Sequence, residues 1–544
     1  MSPLVLVLLS ASILSFGWRR VLQHLRFFQQ EGYTNKRYLQ WFFQHRAFDT
    51  RFSLALLTLW FITENVAANW ARMGASVLIS ALLITLAFIV ESDPRRTGKI
   101  RLVMTTRAKK LAYLTFGLLV SSVALAIVIC HLAGLQGLTS TSSLALSTIF
   151  AIQIIPLLLI AANILLLPFE SRIQGQYKAE AVARLNEYAP YTVGITGSYG
   201  KTGAKAVLAE LLTQCLGPTY WPRQGINTIM GITRSIRETL TPFHRYAVIE
   251  MGAYHIGSIK RLCDFTPPQA ALVTSVGIMH LERFGSAENV YHAKSEIAQA
   301  VPADGVLVCN GDSPNARRMA KEHPKAKTLL YGLDRSAGHL DTYASQVQFS
   351  PEGTSFVIHT HDHEIKACTP LLGRPALLNI LGAYTMACAL GAEPHYAAAC
   401  LANLTPVDNR LVYDKQPFIS YLRDAYNSNP IGFAAALEVL QNLPATRRIL
   451  MTPGMIELGD AQYEENRRAA SLATDVADLV LVVGTTNRQA ILDGLQQKAY
   501  APEKTIIVDS RDEAFEYIRD NGQKGDLILL ENDLGDLHEA RVRF

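Results

Sequence analysis

The chemistry in this chain begins at Tyr191-Thr-Val-Gly-Ile-Thr-Gly-Ser-Tyr-Gly-Lys-Thr202, which a helical pattern from Ala204 to Cys215 follows. A short β-branched strand, a glycine-rich turn and a helix opening on Lys-Thr form a cradle for phosphate. Gly197 and Gly200 let the backbone turn and aim N–H groups at oxyanions, at the positive end of the helix dipole. Ser198 and Tyr199 complete the loop between them. Lys201 is placed to reach terminal phosphates, and Thr202 to offer a hydroxyl to Mg²⁺. The strict spacing G-x-x-x-x-G-K-[ST] is missed by one place, because Ile195 holds the first glycine position and the glycine is Gly194. Gly-Lys-Thr at a strand-to-helix junction still reads as a nucleotide site rather than an ordinary turn.

The elements that must position these groups read as an α/β sheet. Arg245-Tyr-Ala-Val-Ile-Glu250 is a strand with an acid at its carboxyl end, where such sheets gather their ligands. Ala270 to Val276 is a further strand, leading into Gly277-Ile-Met-His280-Leu-Glu282-Arg-Phe-Gly285. A helix then carries His292-Ala-Lys294-Ser-Glu296, and Gly305-Val-Leu-Val-Cys-Asn310-Gly-Asp312 follows. Strands alternating with helices at this spacing predict a mostly parallel, doubly wound sheet. Residues 340–372 read as hairpins in which His359, His361 and His363 alternate; a metal on one strand face is one reading. A solvated edge strand is the plainer one, because no further ligand is spaced with them. After the turn-rich Pro406-Val-Asp-Asn-Arg410 the pattern restarts, with strands at 418–422, 448–452, 479–484, 505–509 and 527–531. That is a second α/β domain.

At 544 residues the chain has room for three or more domains, and its 49% apolar share is concentrated in the first third. Five apolar runs precede the phosphate loop, at about 2–17, 53–70, 75–90, 112–134 and 144–168. Arg19, Arg20, Arg26, Lys36, Arg37, Arg46 and Arg51 separate the first two, and Arg95, Arg96, Lys99, Arg101, Arg107, Lys109 and Lys110 the third and fourth. By the positive-inside rule these charges predict a multi-pass protein of the bacterial cytoplasmic (inner) membrane, with everything after Glu170 in the cytoplasm beside ATP. A net charge of +5, carried mostly beside apolar segments, points to a membrane and not to nucleic acid. Seven scattered cysteines without C-x-x-C argue against a disulfide framework and a zinc site and fit a reducing compartment.

Three stretches resemble the Mur ligase family: Ile249-Glu-Met-Gly-Ala-Tyr-His-Ile-Gly-Ser-Ile-Lys260, Thr274 to Gly285, and Ala293-Lys294-Ser-Glu296. Asp424-Ala-Tyr-Asn-Ser-Asn-Pro430 and Gly454-Met-Ile-Glu-Leu-Gly459 resemble its D-alanyl-D-alanine-adding branch. The resemblance covers roughly 190–535. The apolar runs assign 1–170 to a transmembrane helical region of about five spans, and the resemblance implies a P-loop-type Mur ligase central ATP-binding domain at 171–407 and a Rossmann-like C-terminal domain at 408–544. It also implies a reaction: ATP phosphorylates a carboxylate, and an amine attacks the acyl phosphate. By the match, Lys201 and the amides of Gly197, Ser198, Tyr199 and Gly200 hold the phosphates, while Thr202 and Glu250 hold one Mg²⁺. His280 and Lys294 serve a second Mg²⁺, with Lys294 as a carbamate formed with CO₂. Asn310 contacts adenine, and Arg410 and Asp424 contact the nucleotide from the C-terminal domain, which closes over ATP.

Several positions depart from the family's pattern. Its amino-terminal uridine-binding domain is not recognisable; Pro375-Ala376 replace a His-Asn, and Glu531-Asn532-Asp533 replace a Lys-Gly-Ser. Asn466 stands for a histidine and Gly203 for a second threonine. The expectation is an ATP- and Mg²⁺-dependent amide ligase of cell-envelope precursors, anchored in the membrane. D-Ala-D-Ala is its first candidate donor, and a small-molecule or lipid-linked precursor its acceptor. The alternatives are a poly-amino-acid synthetase of the same superfamily and a non-catalytic nucleotide-binding scaffold; the intact Lys201, Thr202, Glu250, His280 and Lys294 argue against the scaffold.

Overall fold

The computed structural model describes all residues except 1–2, 45–46, 51–52, 55–56, 59–69, 97–99, 133–148, 278–283, 324–325, 407–409, 426–427, 457 and 534–544. Two compact units are present, one built on Met1–Ile173 and one on Gln174–Leu534.

The second unit holds two sheets. The first contains β1 (Tyr191–Thr196), β2 (Thr219–Tyr220), β3 (Tyr246–Glu250), β4 (Ala270–Val273), β5 (Val306–Asn310), β6 (Lys327–Gly332), β7 (Thr342–Ser350), β8 (Gly353–His359) and β9 (Glu364–Thr369). Their order is β2-β3-β1-β4-β5-β6-β7-β8-β9. Pairing is parallel from β2 through β7, and β7, β8 and β9 form an antiparallel meander. The hairpins expected at 340–372 are this meander. β1 lies between β3 and β4 and is buried over its last five residues, as expected of a parallel strand covered on both faces. The helix Lys201–Cys215 covers it. Ala204, Val207, Leu208, Leu211 and Leu212 recur at helical spacing and are all buried in one apolar cluster with Val193 and Ile195.

The second sheet contains β10 (Val412–Asp414), β11 (Ile419–Asp424), β12 (Arg447–Thr452), β13 (Leu479–Val483), β14 (Thr505–Val508) and β15 (Asp526–Glu531). Its order is β10-β11-β15-β12-β13-β14, and only the β10–β11 pair is antiparallel. The last strand in sequence thus enters the middle of the sheet, and Asp424 and Glu531 become register partners at the carboxyl ends of β11 and β15.

The first unit is helical, and here the expected membrane placement is corrected. Among the described residues two helices, not five, are long and apolar enough to cross a bilayer, Thr106–Leu125 and Ile155–Tyr188; Ala81–Val90 is shorter. Buried helices of ordinary cores pass the same test. The run at 53–70 lies largely outside the described residues, as does the start of the run at 144–168. The charges assigned to loops are also elsewhere. Arg19, Arg20 and Arg26 belong to the helix Pro3–Gln30, and Arg107, Lys109 and Lys110 to the helix Thr106–Leu132. Arg20 is buried in ion pairs with Asp49 (2.9 Å) and Glu91 (3.2 Å), and Lys110 pairs with Glu170. A charge held inside the helical packing carries no information about loop sidedness, so the multi-pass, inner-membrane localisation does not stand.

Candidate active site

β1 ends at Thr196 and the chain turns through Gly197 (φ +156°) and Gly200 (φ +81°) into the helix Lys201–Cys215. Glycine is required at both places. A Cβ at 197 would lie 1.9 Å from the Thr274 hydroxyl, and one at 200 would lie 2.6 Å from Asn379 Oδ1. The end of β4 shapes the loop in advance. Ser198 N donates to the Ser275 carbonyl (2.6 Å), Gly277 N donates to Ser198 Oγ (2.9 Å), and the Thr274 hydroxyl donates to the Tyr199 carbonyl (2.5 Å).

Four charged side chains meet at this turn. Lys201 Nζ donates to the carbonyls of Gly197 (2.7 Å) and Ser198 (3.1 Å), and Lys294 Nζ donates to the same Gly197 carbonyl (2.8 Å). Glu250, at the end of β3, accepts from the Thr202 hydroxyl at Oε2 (3.0 Å) and from the Asn227 amide at Oε1 (3.0 Å). Lys205 lies 3.1 Å from Oε2 and donates to the Gln224 carbonyl. Burial pushes all three lysines down from the usual ammonium range, with Glu250 pulling the other way. Lys294 is lowered furthest, by burial first and then by the Lys201 charge.

Gly197, Ser198, Lys201, Thr202, Glu250 and Lys294 are therefore brought together. Tyr199, Gly200, Asn310, Arg410 and Asp424 line an adjoining cavity of about 800 Å³ between the two sheets of this unit. Asn310 sits buried at the end of β5, with its Oδ1 accepting from the Asp312 amide (2.9 Å). Burial raises the Asp424 carboxyl to about 6, against the pull of the Arg410 guanidinium. His280 lies outside the described residues. The donors at the turn suit Mg²⁺: a carboxylate and a hydroxyl are hard oxygen ligands, and a magnesium ion keeps the rest of its shell for phosphate and water. Among the described residues no group of three or more His, Cys, Asp or Glu side chains gathers into a metal cluster.

Two functional residues escaped the sequence reading. Lys205 is four places after Lys201 on one helix face, a spacing that signals a shared surface. Asn227 reaches Glu250 from a loop before the helix Ile229–Thr239, and no periodicity marks it. The three histidines separate. His359 ends β8, stacked on Tyr343 and bonded to Ser345 (2.7 Å), whereas His361 pairs with Asp362 and His363 packs edge-on to His395. Neither reading describes them: β8 lies between β7 and β9 and is not an edge strand, and His361 and His363 sit in the turn that joins β8 to β9.

Residues 195–387 match the Mur ligase middle domain, and residues 409–531 match the Mur ligase glutamate ligase domain. The UDP-N-acetylmuramoyl-tripeptide–D-alanyl-D-alanine ligase of Escherichia coli K12 is 33% identical over 302 residues, 54% of this chain and 64% of that enzyme. Its counterpart in Mycobacterium bovis is 31% identical over 363 residues, 62% of this chain and 69% of its own length. The chain thus spans about two thirds of these relatives. Crystal structures of MurF from Acinetobacter baumannii (TM-score 0.59, 24% identity, 66% of this chain and 77% of that one) and of MurF ligase from Thermotoga maritima in complex with ADP (0.58, 23%, 68% and 81%) share the fold.

Proposed function

Because the chain belongs to the Mur ligase family, we propose that it is an ATP- and Mg²⁺-dependent acid–amino-acid ligase of peptidoglycan precursor synthesis. In this reading it joins D-alanyl-D-alanine to the terminal carboxylate of a UDP-muramoyl-tripeptide. The observation that carries it is the convergence of Lys201, Lys294, Thr202 and Glu250 on the turn at Gly197. Two anions, the γ-phosphate and the acceptor carboxylate, must approach one another for an acyl phosphate to form. Ammonium groups and backbone amides fixed in advance offset that repulsion without reorganising.

Within this reading the loop amides and Lys201 bind the β- and γ-phosphates, Lys201 exchanging the loop carbonyls it holds for phosphate oxygens. Thr202 and Glu250 would hold a Mg²⁺ ion, and Lys294 with His280 a second. Bound there, the ions neutralise charge on the transferring phosphoryl group. Lys294, buried and with its amine pushed toward the neutral form, is suited to add CO₂ and become a carbamate, which turns a cation into an acidic ligand. Asn310 orients the adenine, and Arg410 and Asp424 hold the nucleotide from the other wall of the cavity. The division into a central domain at 171–407 and a C-terminal domain at 408–544 belongs to the same proposal.

The test is donor-dependent ADP formation by the full chain with UDP-muramoyl-tripeptide and D-Ala-D-Ala, with a lipid-linked tripeptide as a second acceptor. Turnover that needs both substrates and is abolished in Lys201→Ala supports the reading. ADP release that ignores donor and acceptor refutes it.

A further inference from the structure

The charges lining the cavity are not all engaged. Arg374 is bonded to Glu438, Asp312 accepts from the amides of Leu333 and Asp334, and Arg410 lies beside Asp424. Glu465 and Arg468 also line it, and among the described residues neither has an ion pair or a side-chain hydrogen bond. Both belong to the helix Gln462–Ala473, where Glu465, Arg468, Ala469 and Leu472 follow one another at i, i+3, i+4 and i+7 and form the stripe that faces the cavity. The alternate charges of this helix behave differently: Arg467 pairs with Glu464 and donates to Gln497 (2.8 Å), off the cavity. One helix thus spends one Glu–Arg couple on itself and leaves the other open toward the cavity.

The geometry points to Glu465 and Arg468 as the subsite for the incoming donor, a dipeptide carrying both a free ammonium and a free carboxylate. This rests on the ligase reading above and adds the residues that read the two ends of the donor. Orientation follows from the surroundings. Glu465 shares the cavity wall with Tyr199 and Gly200 of the phosphate loop, on whose other side the acyl phosphate must form. A carboxylate there repels phosphate and attracts an ammonium, which is the end of the donor that must attack. Arg468, one turn away, then takes the donor's carboxylate through its planar fork. Size separates the donor classes. Positions three apart on a helix hold their Cβ atoms roughly 5–6 Å apart. An extended dipeptide spans about 7 Å, whereas the two charges of a single amino acid are only about one residue apart.

The experiment compares D-Ala-D-Ala, its carboxyl-terminal amide and D-alanine as donors, with the full chain, UDP-muramoyl-tripeptide and MgATP. The wild type is expected to use the amide and D-alanine with KM raised roughly 10- to 100-fold, the loss of one charged hydrogen-bonding partner. Arg468→Ala should raise the D-Ala-D-Ala KM by a similar factor, leave the ATP KM unchanged and no longer distinguish the amide. Arg468→Lys should restore part of the difference, and Arg467→Ala, on the other face, should leave it intact. Glu465→Gln should weaken D-Ala-D-Ala and its amide alike. If the wild type accepts the amide as well as the acid, or if Arg468→Ala raises the ATP KM instead, the subsite is overturned while the ligase reading stands. If the wild type makes ADP with no donor, both fall.

Discussion

Replacing Lys205 by Met tests the charge arrangement under the phosphate loop. The Lys205 side chain is 0% exposed and its partner Glu250 is 2% exposed, with 3.1 Å between Nζ and Oε2. Removing one member of a buried pair leaves the other charge uncompensated, at roughly 3–5 kcal/mol. Here Glu250 keeps the Thr202 hydroxyl and the Asn227 amide, so the lower end, about 3 kcal/mol, is expected. That is a large share of a stability on the order of 5–15 kcal/mol. Urea unfolding of Lys205→Met, Glu250→Gln and the double variant measures it as a cycle. The double variant should recover at least about 1 kcal/mol relative to the sum of the singles, because two neutral side chains need no counter-charge. Lys205→Met alone, which keeps Glu250, should respond more strongly to Mg²⁺, since an ammonium no longer competes for Oε2. Additivity within about 0.5 kcal/mol, together with an unchanged Mg²⁺ response, would refute the argument that Lys205 holds Glu250.

Other outcomes follow from single contacts. Gly197→Ala should abolish nucleotide binding measured with a fluorescent ADP analogue, because its Cβ would lie 1.9 Å from Thr274 Oγ1. Gly203→Ala meets only the amide end of Asn379 (2.7 Å) and should fold normally while weakening ATP binding. Depleting CO₂ and bicarbonate should lower turnover of the wild type, and NMR of the folded protein in ¹³C-bicarbonate should show one carbamate carbon that Lys294→Arg lacks. Burial raises Asp424 to about 6, and burial with the Asp424 charge raises Glu531 further. Both bind protons more tightly folded than unfolded. Their contribution to stability is therefore full below the unfolded carboxylate range, about 4, and is lost as pH rises through 6 and beyond. Unfolding free energy of the wild type should fall over that window, and Glu531→Gln should flatten the fall.

How much of this was legible in the sequence depends on where each signal resides. The loop was readable because Gly197, Gly200, Lys201 and Thr202 are contiguous, and contiguous residues keep their spacing in any fold. Glu250 was readable as the last residue of a strand. Its partner Asn227 was not, because a loop side chain meets a strand end only after the sheet has formed. The two α/β sheets followed from apolar periodicity, but the entry of β15 between β11 and β12 is topology, which period does not encode. The amino-terminal third misled for a physical reason. Hydropathy counts residues, and it reads the buried Arg20, paired with both Asp49 and Glu91, as though it were a solvated loop charge.

That failure and the success at the loop share one cause, and it bears on Glu531. The partner of a charged residue can be read from sequence only when it is a sequence neighbour or solvent. Glu531 has neither: it is fully buried at a sheet centre, its Oε1 takes the Ser428 hydroxyl, and its register partner across β15 and β11 is Asp424, over a hundred positions earlier. Its Oε2 has no hydrogen-bond partner among the described residues. A carboxylate in that position is costly in its charged form, and burial, with the Asp424 charge beside it, raises the Glu531 carboxyl well above the usual carboxylate range. Asp424 in turn lines the cavity next to Arg410. The proton on Glu531 therefore sets how much negative charge the C-terminal wall presents to a bound nucleotide. Isosteric Glu531→Gln, which fixes that position neutral, is expected to leave ATP affinity unchanged at pH 6 and to strengthen it toward pH 9. An affinity ratio that stays flat across that range would show the two carboxyls to be independent.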